Sequence, residues 1–302
     1  FRRSEVRLKK FDWRKRMTQL INPNQFTKAA GLLRSFFMEK GFVEVHTQNR
    51  LSILAACEDP TTVATYNYAG EVWPLPQTGQ MWLEHELLTR PQTPGFFCMS
   101  TSYRQEPNIV EGRHDLIFPM FEFEMPGTIV ELESMEKELM EYLGWCSKGG
   151  VVSKDYLEWC EIFDVKELEH NHEERMCHNW QGRVCMIKNF PNYTSPFWNM
   201  KQNPDGETAA KIDVIIAGQE TIGSAERSTD PKEMYDMFHT ISDGMYADLL
   251  FGTFGKERVE RELDTFLSMN FFPRVGGGIG MTRFIRAMEM YNVRDIVANM
   301  HR

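Results

Sequence analysis

The chain has 302 residues, of which 42% are hydrophobic and 25% charged, with a net charge of −9. That balance is that of a folded globular protein, and it argues against a surface devoted to nucleic acid, which needs an excess of Lys and Arg. No apolar run approaches the roughly 20 residues needed to span a bilayer and no apolar signal core opens the sequence, so a cytoplasmic protein away from membranes is expected.

Cys57, Cys98, Cys146, Cys160, Cys177 and Cys185 are scattered without a CxxC pair, which predicts reduced thiols and no disulfide framework. The first sixteen residues, FRRSEVRLKKFDWRKR, are strongly basic and read as a solvated lead-in before they read as a nucleic-acid arm. From Pro23 to Lys40, Phe26, Ala29, Ala30, Leu33, Phe36 and Phe37 recur at helical spacing and Gly41 supplies a stop. FVEVHT then predicts a strand. Pro60, Pro74 and Pro76 mark an irregular stretch, after which QTGQMWLEHELL opens a second helix.

Phe96 to Glu124, FFCMSTSYRQEPNIVEGRHDLIFPMFEFE, predicts a β-hairpin with a long polar loop. Arg104 and Glu106 stand on one side of the loop and Arg113 and His114 on the other, so two strands bring several cationic donors toward one phosphate group. Glu131 to Leu143 follows as an amphipathic helix. The spacing of His170, His172, Cys177 and His178 fits no standard zinc site. RVCMIKNF predicts another strand, and Phe197 and Trp198 after it read as core before pocket wall.

KIDVIIAGQETIGSAERSTD holds Asp213 and Glu220 seven residues apart. One regular strand would send them to opposite faces, so Gly218 is expected to supply a bend or bulge that re-aims one of them. Two converging acids suit Mg²⁺ bound through phosphate oxygens. FFPRVGGGIGMTR, Phe271 to Arg283, carries glycines that let the backbone approach a ligand before a final helix.

YRQE, then RH, then Phe118 ahead of FEFE resembles motif 2 of the class II aminoacyl-tRNA synthetases, in particular the aspartyl and asparaginyl subgroup. The resemblance implies an ATP site in which Arg104, followed by Glu106, contacts the α-phosphate, His114 reaches the triphosphate and Phe118 stacks on adenine; Ile117 stands where the family usually has Glu. Helix 23–40 with its strand is similar to motif 1, which implies a homodimer, although Gln48 and Asn49 replace the usual Pro. Cys57-Glu58 resembles the family's CEG segment, and TGQMWLE its SGQLHLE stretch. These imply amino-acid-binding roles for Glu58, Gln80 and Glu84, with Leu83 where aspartyl enzymes carry a substrate-binding Lys.

Asp213 to Arg227 resembles the segment D…G.E..GGS.R, implying Asp213 and Glu220 as Mg²⁺ ligands and Arg227 as substrate anchor. GGGIGMTR resembles motif 3, implying Arg283 as a clamp on the γ-phosphate; the segment is also similar to that of ammonia-dependent asparagine synthetase. The implied fold is α+β, the class II synthetase fold with an antiparallel β-sheet flanked by helices. Residues 1–302 are expected to form a single catalytic domain without an anticodon-binding domain. The expected activity is an AMP-forming ligase that adenylates aspartate and passes the acyl group to ammonia or a small amine. Alternatives are an asparaginyl- or aspartyl-tRNA synthetase or its catalytic core, and a synthetase-like protein that only binds nucleotide or tRNA.

Overall fold

A computed structural model describes residues 21–48, 51–53, 60–105, 115–179, 184–194 and 197–290. Helix α1 (Pro23–Glu39) starts where the Asn22 side chain accepts from the amides of Asn24 and Gln25, with Pro23 in the first turn. Gly41 follows its end at φ 81°, the left-handed conformation that suits glycine. The strand expected over FVEVHT narrows to β1 (Val43–Glu44), which pairs parallel with β4 (Phe96–Tyr103) at the sheet edge. A small hairpin, β2 (Thr65–Tyr68) and β3 (Glu71–Pro74), precedes α2 (Gln80–Thr89).

The 96–124 hairpin is present as β4 and β5 (Ile117–Pro126), paired from Phe96↔Glu124 to Tyr103↔Ile117. Helix α3 (Ile129–Tyr142) begins at a capping box in which Thr128 and Glu131 satisfy each other's backbone. There follow β6 (Val152–Asp155), α4 (Tyr156–Phe163), α5 (His170–Asn179), β7 (Val184–Pro191), β8 (Thr208–Ile216) and β9 (Gln219–Glu226). Helices α6 (Pro231–Thr240), α7 (Met245–Phe254) and α8 (Lys256–Leu267) lead to β10 (Arg274–Gly280) and α9 (Met281–Met290).

Among the described residues, eight strands form one sheet in the order β1-β4-β5-β10-β9-β8-β7-β6. The two outermost pairs are parallel and the five inner pairs antiparallel. The alternation FEFE explains how one strand serves two purposes, because successive side chains leave opposite faces. Phe121 and Phe123 enter a core beneath α1, α3 and α9, while Phe118, Met120, Glu122 and Glu124 form a row on the other face. That second face carries the site. It is bordered by α2, by the packed helices α6 to α8, and by α4 and α5 over β7.

Phe197 and Trp198 lie in the α6–α8 core, with the Trp198 indole edge-on to Phe238 and Phe266. His172 is structural, its Nδ1 accepting from the Glu169 amide at 2.8 Å and its ring lying against Phe163. Among the described residues no helix is long and apolar enough to cross a membrane.

Candidate active site

The bend expected at Gly218 is present, and it separates Asp213 and Glu220 onto two strands. The chain doubles back between β8 and β9 through Ala217 (φ 53°) and Gly218 (φ 78°), so the two acids stand on neighbouring strands. Gly218 serves the turn; the irregularity that re-aims a side chain lies further on. Asp213 faces Gly223 and Val214 faces Ile222, but Ile215 faces Glu220, which leaves Thr221 as an extra residue in β9. Directly paired residues share a face, so Glu220 joins Ile215 and Asp213 on the site face. In uninterrupted register Glu220 would face Ile216 and turn into the core.

Both acids border Gly223. A methyl group there would lie 3.3 Å from Glu220 Oε1 and 3.6 Å from Asp213 Oδ1, so the missing side chain keeps the space between the carboxylates open. Asp213 is 6% exposed; Lys211 Nζ lies 2.8 Å from its Oδ2, while Oδ1 is buried with no hydrogen-bond partner among the described residues. Burial pushes the Asp213 carboxyl up to about 7, with Lys211 opposing and the charges of Glu220 and Glu173 adding. A buried, unsatisfied oxygen beside an open second carboxylate fits a hard divalent cation.

In front of these acids opens a cleft of about 140 Å³, bordered by Arg104, Phe118, Glu220 and Arg283. Arg104 follows β4, where its amide donates to the Leu116 carbonyl at 2.8 Å, and its guanidinium lies 5.4 Å from the centre of the Phe118 ring. Arg283 stands in the first turn of α9. Its Nη1 donates to the Glu220 carbonyl at 2.7 Å and lies 3.8 Å from Glu220 Oε2. Four residues far apart in sequence thus meet around one space containing two cationic forks, an aromatic face and a carboxylate. The predicted ligands Glu58, Glu106 and His114 lie outside the described residues.

Gln80, Glu84 and Arg227 converge beside the cleft, where they are tied into a closed network. Arg274 Nε and Nη2 donate to Glu84 Oε2 at 2.9 and 2.7 Å, and Asn199 Nδ2 donates to Glu84 Oε1 at 2.8 Å. Arg227 Nη2 donates to Gln80 Oε1 at 2.8 Å, and its Nε and Nη2 reach the two oxygens of Glu124 at 3.3 Å. The reason is electrostatic: Glu84, Glu124, Arg227 and Arg274 are all at most 1% exposed, and charges taken out of water require partners. Burial raises the Glu124 carboxyl to about 7, with Arg227 opposing it.

Gln80 joins the two regions, since its Nε2 lies near Gly278 on the cleft wall. The sequence reasoning missed Arg274, Glu124 and Asn199. Only Glu124 had a legible signal, in FEFE: the alternation that buries Phe121 and Phe123 puts Glu122 and Glu124 on the site face. Gly276 completes that arrangement, because a side chain there would overlap the Glu124 carboxylate folded across β10. Glu122 anchors α2, accepting from the Gly79 amide at 2.8 Å and from the Thr78 and Ser100 hydroxyls; burial raises its carboxyl despite these bonds.

A mostly antiparallel sheet bearing a phosphate-sized cleft between a motif 2 hairpin and a motif 3 strand–helix unit defines a class II synthetase-like catalytic fold. The family model for class II tRNA synthetases (D, K and N) matches residues 3–299, and the chain belongs to that family. It is 24% identical to the asparagine–tRNA ligase of Desulfotalea psychrophila over 88% of this chain and 66% of that protein. With the cytoplasmic aspartate–tRNA ligase of Pongo abelii it shares 23% identity over 87% of this chain and 57% of the other. The fold is similar to asparaginyl-tRNA synthetase from Pyrococcus horikoshii complexed with asparaginyl-adenylate, at a TM-score of 0.69 and 18% identity over 87% of this chain and 64% of that one. The chain therefore spans less than two thirds of the length of these relatives.

Proposed function

We propose that the chain is an ATP-dependent, AMP-forming ligase that activates aspartate or asparagine as its acyl-adenylate. The observation that carries this is the convergence of Arg104, Phe118, Glu220 and Arg283 on one cleft, with Asp213 behind Gly223 and the Gln80–Arg227 network alongside. Phe118 presents its ring to the base, and the two guanidiniums hold the phosphates. Asp213 and Glu220 hold Mg²⁺, which when bound supplies positive charge to the phosphate oxygens.

The α-carboxylate of the amino acid is itself the nucleophile, attacking the α-phosphorus as pyrophosphate leaves. The protein's part is to align the two substrates and neutralise the charge that develops, which is electrostatic and positional catalysis without a side-chain base. Glu106, His114 and Glu58 are assigned by resemblance to the triphosphate and amino-acid ends of the site. Homodimerisation belongs to the same proposal.

The acceptor we favour is tRNA, since the relatives named above are tRNA ligases. The net charge of −9 supports a second reading, in which aspartate is adenylated on its β-carboxylate instead and ammonia or a small amine takes the β-aspartyl group as AMP leaves. Incubation with ATP, Mg²⁺ and aspartate or asparagine, with and without tRNA and ammonium, separates them by product analysis. Aminoacyl-tRNA with AMP formed only when tRNA is present supports the first; free asparagine and AMP from aspartate and ammonium without tRNA supports the second. No AMP under any condition overturns the adenylation proposal.

A further inference from the structure

The bulge that brings Glu220 onto the face of Asp213 leaves main-chain groups of Glu220 to be satisfied from outside the β8–β9 ladder. Its carbonyl accepts from Arg283, and its amide donates to Glu173 Oε2 at 3.2 Å. Glu173 sits in the first turn of α5, 47 residues earlier in the chain, with His170 Nδ1 4.0 Å from its other carboxylate oxygen.

Helix α5 meets the same hairpin at two further points. A side chain at Gly218 would come within 2.9 Å of the Glu174 Cα, so the helix rests directly on the turn. Cys177, one helical turn beyond Glu173, places its Sγ 3.7 Å from the carbonyl of Ile215, the residue facing Glu220. Contacts at the turn, opposite the bulge and on the amide of Glu220 itself fix the place where β9 departs from regular pairing.

We infer that Glu173 is a positioning residue for the cation site: by accepting the Glu220 amide it holds the bulge in register and so keeps the Glu220 carboxylate beside Asp213. Without that acceptor, β9 gains by sliding Thr221 back into the ladder, which returns Glu220 toward the core face. The inference rests on the proposal that Asp213 and Glu220 bind the divalent cation. It deepens that proposal by naming the helix that builds the site.

The test is Mn²⁺ binding to the full chain without added nucleotide, followed by loss of the free-ion electron paramagnetic resonance signal. ATP binding in EDTA and the thermal unfolding midpoint are measured alongside. Glu173→Ala is expected to weaken Mn²⁺ binding about tenfold or more, in the range of lost outer-shell support, while metal-free ATP binding stays within about twofold. Glu173→Asp keeps the charge but shortens the reach and is expected to behave like the alanine variant. Glu173→Gln retains an acceptor oxygen and is expected to bind Mn²⁺ nearly as the parent does.

If Glu173→Ala and Glu173→Asp bind Mn²⁺ as the parent does while Asp213→Asn loses it, the positioning role is wrong and the cation site survives. If Glu173→Gln loses as much as alanine, charge and not the amide hydrogen bond is responsible, and the inference is likewise overturned. Unchanged binding in Asp213→Asn and in Glu220→Gln removes the cation proposal and this one with it. Should the alanine variant fail to fold, the aspartate and glutamine variants decide the matter.

Discussion

The cleft and the buried network stand side by side on one face of the sheet and use the same kinds of charged side chain, arginine and carboxylate, for opposite ends. In the network, Glu84, Glu124, Arg227 and Arg274 lie away from solvent and answer one another's charges. In the cleft, the Arg283 and Glu220 side chains are 30% and 43% exposed and border open space. Charge buried in pairs fixes shape, because losing one partner strands the other. Charge left at a cleft wall is available to a ligand, and losing it costs little stability.

This contrast is broken most severely by Arg274→Ala. It leaves Glu84 buried without its bidentate donor and is expected to lower unfolding stability by about 3–5 kcal/mol in urea titration. The double substitution Glu84→Leu with Arg274→Met removes both charges and is expected to cost less than Arg274→Ala alone. A greater loss would mean that the pair is strongly stabilising in its own right.

Arg283→Ala and Arg104→Ala should do the reverse. Each is expected to lower amino-acid-dependent ATP–pyrophosphate exchange by about 10²–10³-fold, the scale of one lost charge-stabilising donor, while the melting temperature stays near that of the parent. A large drop in melting temperature for either would move these arginines into the structural class with Arg274.

The pH dependence sharpens the comparison from within the fold. Burial, reinforced by the charges of Asp213 and Glu133, pushes Glu136 on the buried side of α3 up to about 8, and Asp213 and Glu124 lie near 7. Each of these carboxyls holds its proton in the folded state at pH values where the unfolded chain, titrating near 4, has lost it. The folded state is therefore favoured most below about pH 4 by these groups, and their contribution declines as pH rises through 7 to 8. Glu136→Leu is expected to flatten the upper part of that decline in melts recorded across the range. If the decline is unchanged, Glu136 is not a source of it.

How much of this was legible in the sequence differs between the two regions. The cleft was legible because its contributors lie at the ends of well-marked elements: Arg104 after an apolar strand, Phe118 ahead of FEFE, Arg283 after a glycine run. Resemblance then supplied roles that spacing alone leaves open. The network was hidden because Arg274 and Asn199 sit in short, unpatterned segments, and their partners become neighbours only when β10 and the 197–200 turn reach α2. At Gly218 the sequence left bend or bulge open, because a glycine in an apolar run signals either; the chain takes the bend there, and the bulge at Thr221, which no such residue marks, was not legible.

The smallest effect expected lies outside both regions. Thr128→Ala removes the cap of α3 and should cost about 1 kcal/mol without altering exchange activity, a reference against which the larger effects are read.

The most direct test of adenylation at this cleft is ATP–pyrophosphate exchange by the purified chain with Mg²⁺ and aspartate or asparagine, in the absence of tRNA and amine. Exchange that requires one of these amino acids, and that falls sharply in Arg283→Ala, is the expected result. An inactive but folded parent protein, or an exchange rate untouched by loss of Arg283, would contradict it.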